Sequence, residues 1–496
     1  MTQNILVPAL GAAVLLGIPA YVRLVRGRVF ATWGFVILVL SMPGLLAAHR
    51  HLADWVAPSS RAAVDGAFAW GIAAAGLHLA ALARARLRPR AFRWLVSIPG
   101  MATIAAGTLA GAWLLLVLPL RVAFSRTGFV PGLDAIAWLD LLPFAVAALS
   151  VATSLGAVEE TVRFVVGADP DAPGPGAPEI DTGAGSARPL RLDTGTPTGD
   201  AGSDAADGAR DGGASDGDER PERAERARGS RRRETAPRLP RVPVERIRSR
   251  RRSRRPPPDR STLRVAQITD PHLGPWQPVA RLRKRIAALL DREPDLVLLT
   301  GDFLTMEGAG TPGALAEALS PLRGAPGRCF AIFGNHDHEC PDEVRHAMAV
   351  NGVRLLVDEE AVVETRVGPV QIVGADFVGR GRRRHLRDLV ARLPRRDGHL
   401  RLLLLHDPSA FAHLPPGEVD LALSGHTHGG QVGLVSVGLD WTVLRRSPFP
   451  DHGLFAHGPS RLYVHRGTGF YGFPLRIGVP GEHSVLELSP PRPRAA

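Results

Sequence analysis

The stretch that decides the fold of this 496-residue chain is LRVAQITDPH, residues 263–272. Its apolar and β-branched first part predicts a buried strand, and the metal-ligand types Asp270 and His272 follow directly. Four later apolar runs end in the same way. The five ligand clusters are TDPH at 269–272, GD at 301–302, GNHD at 334–337, HD at 406–407 and GHTH at 425–428.

These clusters are predicted to share one site. In open α/β sheets, ligands bind beyond the carboxyl ends of the strands, so residues at those ends converge although they lie far apart in sequence. One His or Asp after a strand is more often a turn residue, but five clusters in succession favour a common crevice. Strands are predicted at residues 263–269, 295–300, 329–333, 370–373, 401–405, 419–423, 462–464 and 485–488. Helices are predicted at residues 281–292, 313–322 and 382–393.

The ligand types predict a catalytic metal site. Only two cysteines occur, Cys329 and Cys340, which excludes a disulfide framework and a thiolate zinc site. Carboxylates mixed with imidazoles suit Mn, Fe or Zn. Seven such residues are too many for one tetrahedral ion, whereas a bridging carboxylate would let them hold two. Two metals ~3.5–4 Å apart suit in-line displacement at phosphorus.

The order of these motifs resembles the calcineurin-like metallophosphoesterase superfamily. Together with the apolar N-terminus, the run GHTHGGQ at 425–431 resembles the bacterial branch similar to the transmembrane protein with metallophosphoesterase domain. The resemblance covers residues 263–488 and implies a four-layer αββα sandwich. It implies seven metal ligands: Asp270, His272 and His428 for the first ion, Asn335, His406 and His426 for the second, and Asp302 as the bridge. It also implies that His336 protonates the leaving group and that Asp337 orients its imidazole.

The resemblance therefore predicts a metal-dependent phosphoric ester hydrolase. Phosphoester or pyrophosphate bonds would be cleaved by attack of a metal-bridging hydroxide, with two divalent ions as cofactors, Mn favoured over Fe or Zn. Relatives suggest by analogy a lipid-linked substrate such as UDP-diacylglucosamine. Pro271 departs from the bulky apolar residue usual in this branch, and no acidic residue follows Asp302 at 303 or 304. Both departures concern substrate fit more than ligation.

Long uncharged runs near the N-terminus predict a membrane domain at residues 1–166. Residues 29–48 and 94–120 carry no charge and can cross a ~30 Å hydrocarbon core as helices. Weaker spans are predicted at residues 4–22, 66–83 and 141–158. The alternatives are core helices of a soluble bundle for these three and a signal peptide for the first. Arginines follow the first and third spans most densely, which favours an external N-terminus and a cytoplasmic catalytic domain in a bacterial inner or plasma membrane.

Residues 167–260 are predicted to be a disordered linker, because they contain almost no large apolar residues. Its first part is rich in Asp. Its last part, residues 226–255, contains fourteen Arg and two Glu, a net +12 that equals the net charge of the whole chain. The rest of the chain has no net charge, so no basic surface on the folded parts is needed to explain the charge of the chain. This disfavours nucleic-acid partners. Adsorption of the Arg run to membrane lipids and simple solvation are both open. The catalytic domain follows at residues 261–490, with a tail at 491–496.

Two other functional classes are alternatives to the hydrolase. In the first, the chain is a membrane scaffold with a decayed enzyme domain and an Arg-rich tether that binds lipid or nucleic acid. A decayed site would be expected to have lost a ligand, and all seven are present in the sequence. The second class, a metallopeptidase, is disfavoured because no His-Glu-x-x-His motif occurs.

Overall fold

A computed structural model describes residues 5–166, 238–248 and 261–489. Long apolar helices form its N-terminal part, and an α/β domain with two β-sheets follows. This order of a multi-helical apolar domain and an α/β sandwich confirms the predicted fold class.

Five helical stretches are long and apolar enough to cross a membrane, and each overlaps one of the predicted spans. They are Leu6–Arg26, Arg28–Trp55, Pro58–Leu82, Arg90–Thr127 and Val130–Leu155. Their helices are α1 (Leu6–Arg26), α2 (Arg28–Trp55), α3 (Arg61–Leu82), α4 (Arg90–Phe92), α5 (Ile98–Thr127), α6 (Val130–Leu139) and α7 (Leu142–Leu155). A π-helical turn at Arg93–Ser97 joins α4 to α5.

Small residues let two of these helices approach closely. A Cβ added to Gly44 of α2 would lie 2.2 Å from the carbonyl oxygen of Gly107 in α5. Apolar side chains gain little by leaving lipid for a helix interface, so such association depends on close backbone contact between small residues. Gly44 therefore permits the α2–α5 contact.

The α/β domain contains two seven-stranded sheets. Their strands are β1 (Ala157–Val165), β2 (Arg241–Val242), β3 (Glu245–Arg248), β4 (Leu263–Ile268), β5 (Leu296–Leu299), β6 (Cys329–Ala331), β7 (Arg354–Leu355), β8 (Glu359–Thr365), β9 (Gly368–Ala375), β10 (Leu400–Leu405), β11 (Leu421–Ser424), β12 (Gly453–His457), β13 (Ser460–Val464) and β14 (Gly481–Ser489). The first sheet has the order β3-β1-β14-β4-β5-β6-β7, and the second has the order β2-β12-β13-β11-β10-β9-β8.

The sheets pack face to face with helices on both outer faces. Alternate residues of each strand point to opposite faces, so Leu263 and Val265 of β4 enter the core between the sheets, while Ala266 and Ile268 face the helices. The helices of this domain are α8 (Val279–Leu290), α9 (Met306–Ala309), α10 (Ala314–Leu319), α11 (Pro341–Val350) and α12 (Arg382–Arg392). The first sheet packs against α8, α10 and α11, and the second packs against α12. The result is four layers.

The boundary of the membrane domain differs from the predicted one. Residues 157 and 158, expected in the last span, begin strand β1, which runs parallel to β14 with Ala157 opposite Gly481. The physical reason is that every second residue in the later part of this segment is apolar. Val162 and Phe164 enter the core between the sheets. Residues 157–165 therefore belong to the α/β domain.

Part of the predicted linker is also ordered into strands. Strand β2 pairs antiparallel with β12, and β3 pairs antiparallel with β1. Val242 and Val244 pack against the core between the sheets, and Arg246 donates a 2.5 Å hydrogen bond to Glu160. Enough apolar area is thus buried to order residues 241–248, and the prediction of a disordered linker is wrong for these residues. The acidic run, most of the Arg run and the tail at 491–496 lie outside the described residues.

Candidate metal centre

The predicted ligands follow the carboxyl ends of neighbouring parallel strands. Strands β4, β5 and β6 of the first sheet are parallel, as are β10 and β11 of the second. Because parallel strands end at the same edge, the loops after them meet. The ligands distribute over these strands as follows: Asp270 and His272 follow β4, Asp302 follows β5, Asn335 follows β6, His406 follows β10, and His426 and His428 follow β11.

Five of the seven have a left-handed backbone conformation. The φ angles of Asp270, His272, Asp302, His426 and His428 are 49°, 43°, 57°, 70° and 52°. Residues with a Cβ rarely adopt this region, which costs of order 1–3 kcal/mol each and clusters at functional sites. The surrounding structure therefore holds these five side chains at a cost in backbone energy, which is typical of a preorganised binding site.

The first group of donors consists of Asp270, His272 and His428, all buried. The Nε2 atoms of the two histidines lie 3.2 Å apart. Each Nε2 is also close to Oδ1 of Asp270, at 3.8 Å for His272 and 3.7 Å for His428. Asp270 is fixed by the Thr269 hydroxyl, which donates to Oδ2 at 2.7 Å. Three donor atoms thus face a common point.

The second group consists of Asp302, His406 and His426, with Asn335 beside them. Nε2 of His406 lies 3.2 Å from Nδ1 of His426 and 3.2 Å from Oδ1 of Asn335. Oδ2 of Asp302 lies 3.3 Å from Nε2 of His406 and 3.6 Å from Nε2 of His272. The same carboxylate oxygen therefore faces both groups, as a bridging ligand would.

Hydrogen bonding shows that this donor set fits divalent cations. Nδ1 of His406 is 2.7 Å from the carbonyl oxygen of Thr300, which can only accept. In the neutral ring, Nδ1 therefore carries the proton and Nε2 carries a lone pair. That Nε2 faces the lone pairs of Asp302 and Asn335. Such a buried gathering of electron pairs requires either an extra proton or a cation.

The pKa values in the site agree with this picture. Burial lowers the pKa of His272 to about 3 and that of His426 to about 4, and it lowers the pKa of His428 well below the usual value. These three imidazoles are neutral at pH 7, as metal ligands must be. Burial also disfavours charge on His406 and Asp302, but their mutual attraction outweighs it. The pKa of His406 rises to about 10, and that of Asp302 falls below its ordinary value.

His336 lies at the rim of the two groups. Its side chain is 25% exposed, and its ring centroid is 5.6 Å from that of His272 and 4.9 Å from that of Tyr471. Nδ1 faces Oε1 of Glu339 at 3.1 Å. Pairing with Glu339 leaves Nε2 available to a bound substrate.

Asp337 does not have the position expected of it. Its carboxylate was predicted to orient the His336 imidazole, but it accepts hydrogen bonds from the backbone N–H groups of Asp302, Phe303 and Gly334 at 2.7–2.8 Å. Asp337 follows His336 in the chain and turns back under the loop, where unpaired amides need acceptors. It therefore positions the loops that carry Asp302 and Asn335, and Glu339 takes the place next to His336.

Asp407, which follows the ligand His406 in sequence, lies beside a different histidine. Its carboxylate pairs with Arg382 and accepts from the backbone N–H of Ser409, and its Oδ2 is 4.0 Å from Nε2 of His426. The histidine next to Asp407 is thus His426. Two further histidines outside the site, His338 and His385, pair with Asp376 and Asp358.

Arg476, which the sequence did not indicate, holds the backbone next to the first donor group. This buried guanidinium donates to the backbone carbonyls of His428, Arg466 and Gly469 at 2.6–3.0 Å. Burial lowers its pKa to about 9. Its neighbours in sequence, FPLRIG, carry no motif, so no local signal distinguishes it from a surface arginine.

Comparisons with known proteins point to one family. The calcineurin-like phosphoesterase family matches residues 263–430. The phosphodiesterase YaeI of Escherichia coli K12 is 31% identical over 232 residues, which cover 46% of this chain and 82% of YaeI. The uncharacterized metallophosphoesterase YkoQ of Bacillus subtilis is 29% identical and covers 45% of this chain and 82% of its own length.

A vertebrate relative adds a membrane context. The transmembrane protein with metallophosphoesterase domain of Danio rerio is 29% identical over 252 residues, 46% of this chain and 53% of its own length. Among solved structures, the NAD nucleotidase of Haemophilus influenzae matches 34% of this chain and 38% of its own, with 14% identity and a TM-score of 0.27.

Proposed function

Because this chain belongs to the calcineurin-like phosphoesterase family, we propose that it is a membrane-anchored hydrolase of phosphoester bonds that works with two divalent metal ions. The observation that carries the proposal is the convergence of two donor groups on opposite sides of Asp302. Asp270, His272 and His428 would hold one ion, and Asn335, His406 and His426 would hold the other. Bound there, the ions would activate a water molecule and neutralise charge on the phosphoryl oxygens.

The protein's own groups would complete the reaction. His336, at the rim with Nε2 available, is placed to donate a proton to the leaving oxygen, and Glu339 would hold the ring in that orientation. Asp337 would keep the Asp302 loop in place through its backbone hydrogen bonds. We propose Mn as the native ion because carboxylate, amide and imidazole ligands suit it, and Fe and Zn are the alternatives that the same ligands admit.

A phosphodiester at the membrane surface is the substrate class that these features favour. A relative named as a phosphodiesterase supports the diester. A cavity of about 210 Å³ lies between the membrane helices and the loop after His272, and its lining includes Arg86, Arg88 and Arg93. Guanidinium groups suit the phosphates of anionic headgroups. A lipid-linked pyrophosphate such as UDP-diacylglucosamine, whose scissile bond is a phosphoanhydride, is the alternative substrate at the same surface.

The proposal is tested by turnover of a chromogenic bis-aryl phosphodiester by the full-length protein in detergent with added Mn. We expect Asp302→Ala to lose both bound metal and turnover, because each ion loses a ligand. His336→Ala should keep its metal but turn over ~10²–10⁴-fold more slowly, the usual contribution of a general acid.

A matched control is His338→Ala, since His338 is a nearby histidine paired with Asp376 rather than aimed at the donors. It should keep wild-type turnover. Rates near wild type in both Asp302→Ala and His336→Ala would contradict the assignment.

A further inference from the structure

An apolar loop borders the donor groups, and the proposed reaction leaves it unused. We define the rim loop as residues 432–449, which begin four positions after His428. It exposes six large apolar side chains to solvent. They are Leu434, Val437, Leu439, Trp441, Val443 and Phe449, between 44% and 70% exposed.

This exposure is concentrated in one place. Of the large apolar side chains that residues 261–489 expose, two lie elsewhere, Val350 and Val362, and the other six are in the rim loop. Contiguous exposed apolar surface is unfavourable in water and marks a contact with another apolar phase or molecule. The rim loop therefore has an occupant in the working protein.

The rim loop lies beside the membrane helices. Gly433 N–H donates to the carbonyl of Ile477 at 2.9 Å, and Ser436 N–H donates to that of Gly478 at 2.8 Å. Ile477 in turn packs in the apolar cluster that contains Ile98 of α5 and Ala147 of α7. The loop is thus continuous with the surface by which the α/β domain contacts helices that cross the membrane.

The other side of the loop adjoins the donors. Gln431, which precedes it, donates from Nε2 to the carbonyl of Tyr471 at 2.5 Å, and the Tyr471 ring lies 5.7 Å from that of His272. Arg445 and Arg446 are exposed between Val443 and Phe449, and Arg445 also pairs with Asp440 of the same loop at 3.4 Å. Trp together with flanking Arg is the composition of segments that lie in the membrane–water interface.

We propose that the rim loop inserts into the headgroup–acyl boundary of the membrane that the chain's own helices cross, so that the metal centre takes phosphoesters presented by the lipid surface. The occupant is the lipid bilayer. Arg445 and Arg446 would face anionic headgroups while the six apolar side chains enter the acyl region. The substrate part of this inference rests on the proposed function, but the insertion itself does not.

Insertion is tested with a fluorescent probe on the full-length protein in phosphatidylcholine–phosphatidylglycerol vesicles. Val437→Cys, in a Cys340→Ser background, is labelled with a nitrobenzoxadiazole dye, because the other cysteine, Cys329, is buried. We expect a blue-shifted emission that spin-labelled lipids quench. The matched control is Val362→Cys, which replaces another exposed valine, on β8, and whose dye should be neither shifted nor quenched.

An unquenched probe at position 437 would overturn the proposal. So would a blue-shifted emission that persists equally in detergent, together with disulfide formation between two unlabelled Val437→Cys chains under a mild oxidant, since that outcome would identify self-association as the occupant. This measurement needs no turnover and therefore stands even if the proposed hydrolysis fails.

The consequence for substrates is tested by activity. In the double variant Val437→Ser and Leu439→Ser, kcat/KM for the soluble bis-aryl diester should stay within twofold of wild type. For a nitrophenyl diester of a diacylglycerol phosphate embedded in the same vesicles, kcat/KM should fall at least tenfold.

Val350→Ser with Val362→Ser is the control and should change neither rate. Equal rates on vesicles for wild type and the rim-loop variant would overturn the substrate inference. If the wild-type protein did not hydrolyse the soluble bis-aryl diester, the proposed function itself would be contradicted.

Discussion

The two ring nitrogens of His406 have different partners, and this difference predicts how pH affects metal binding. Nδ1 is held by the Thr300 carbonyl, whereas Nε2 faces Asp302. Without metal, Asp302 outweighs the effect of burial and raises the pKa of His406 to about 10. The ring therefore holds an extra proton at neutral pH, and this proton must leave before Nε2 can bind a cation.

Metal affinity should consequently increase with pH. One proton is released per second-site ion below pH 10, so the apparent association constant for Mn should rise about tenfold per pH unit between pH 7 and pH 9. Calorimetric titration in buffers of different ionisation enthalpy measures both the affinity and the proton release. A pH-independent affinity, or no proton release at pH 8, would contradict this assignment of charge.

At the residue scale, the sequence predicted which side chains gather but not all of what they do. The seven donors were predictable because each stands within a motif directly after an apolar strand. The partner of His336 was not, because Asp337 and Glu339 are both acidic and near it in sequence, and only the direction of the turn decides between them. Arg476 could not be found, since its role depends on backbone carbonyls of two loops, the one that carries His428 and the one that contains Arg466 and Gly469.

At the scale of elements, the loop after β11 depends on a residue without a side chain. A Cβ on Gly425 would lie 2.1 Å from Oδ2 of Asp270 and 2.2 Å from Oγ1 of Thr269. Both atoms belong to the loop after β4, so the two loops can hold their ligands together only if position 425 is glycine.

Gly425→Ala should therefore displace Asp270 and empty the first metal site. Overpacking of this kind costs about 1–3 kcal/mol, and we expect bound Mn per chain to fall from two to one and turnover to fall at least tenfold. Elemental analysis after dialysis and the rate on the soluble diester measure both. Gly324→Ala is the matched control, because a Cβ at position 324 would have no heavy atom within 4 Å. Two retained ions in Gly425→Ala would refute the steric argument.

The strands that were predictable are the buried central ones. Both faces of β4, β5 and β10 are covered, so β5 is a continuous apolar run and β4 and β10 are apolar except at Arg264, Gln267 and Arg401. Strands β2, β3, β7 and β8 escaped prediction because they lie at sheet edges and carry charged residues, as edges commonly do. Strand β12, next to the edge strand β2, also escaped prediction. Strand β1 escaped prediction because only Gly156 separates it from helix α7. Its first residues, Ala157 and Val158, continue the apolar run of that helix and hide the change from helix to strand.

At the scale of the whole molecule, β1 changes how the catalytic domain is attached. The sequence favours a domain tethered through residues 167–260, but helix α7 leads through Gly156 directly into β1, which pairs with β14. The backbone N–H of Arg476 also donates to the hydroxyl of Ser154 in α7 at 2.8 Å. The α/β domain is thus joined to the membrane helices by a strand and side-chain contacts, and the segment between β1 and β2 is an insertion into it.

The contacts of two arginines predict on which side of the membrane the catalytic domain lies. Arg26 donates to the Leu82 carbonyl and Arg93 donates to the Pro275 carbonyl, each at 2.5 Å, so the Arg-rich helix ends lie on the side of the catalytic domain. Arg-rich short loops stay in the cytoplasm. In a Cys340→Ser background, we expect a membrane-impermeant maleimide to label Ser59→Cys in intact cells, and Asp397→Cys only after the cells are opened. The reverse pattern would place the catalytic domain outside and give it external rather than cytoplasmic substrates.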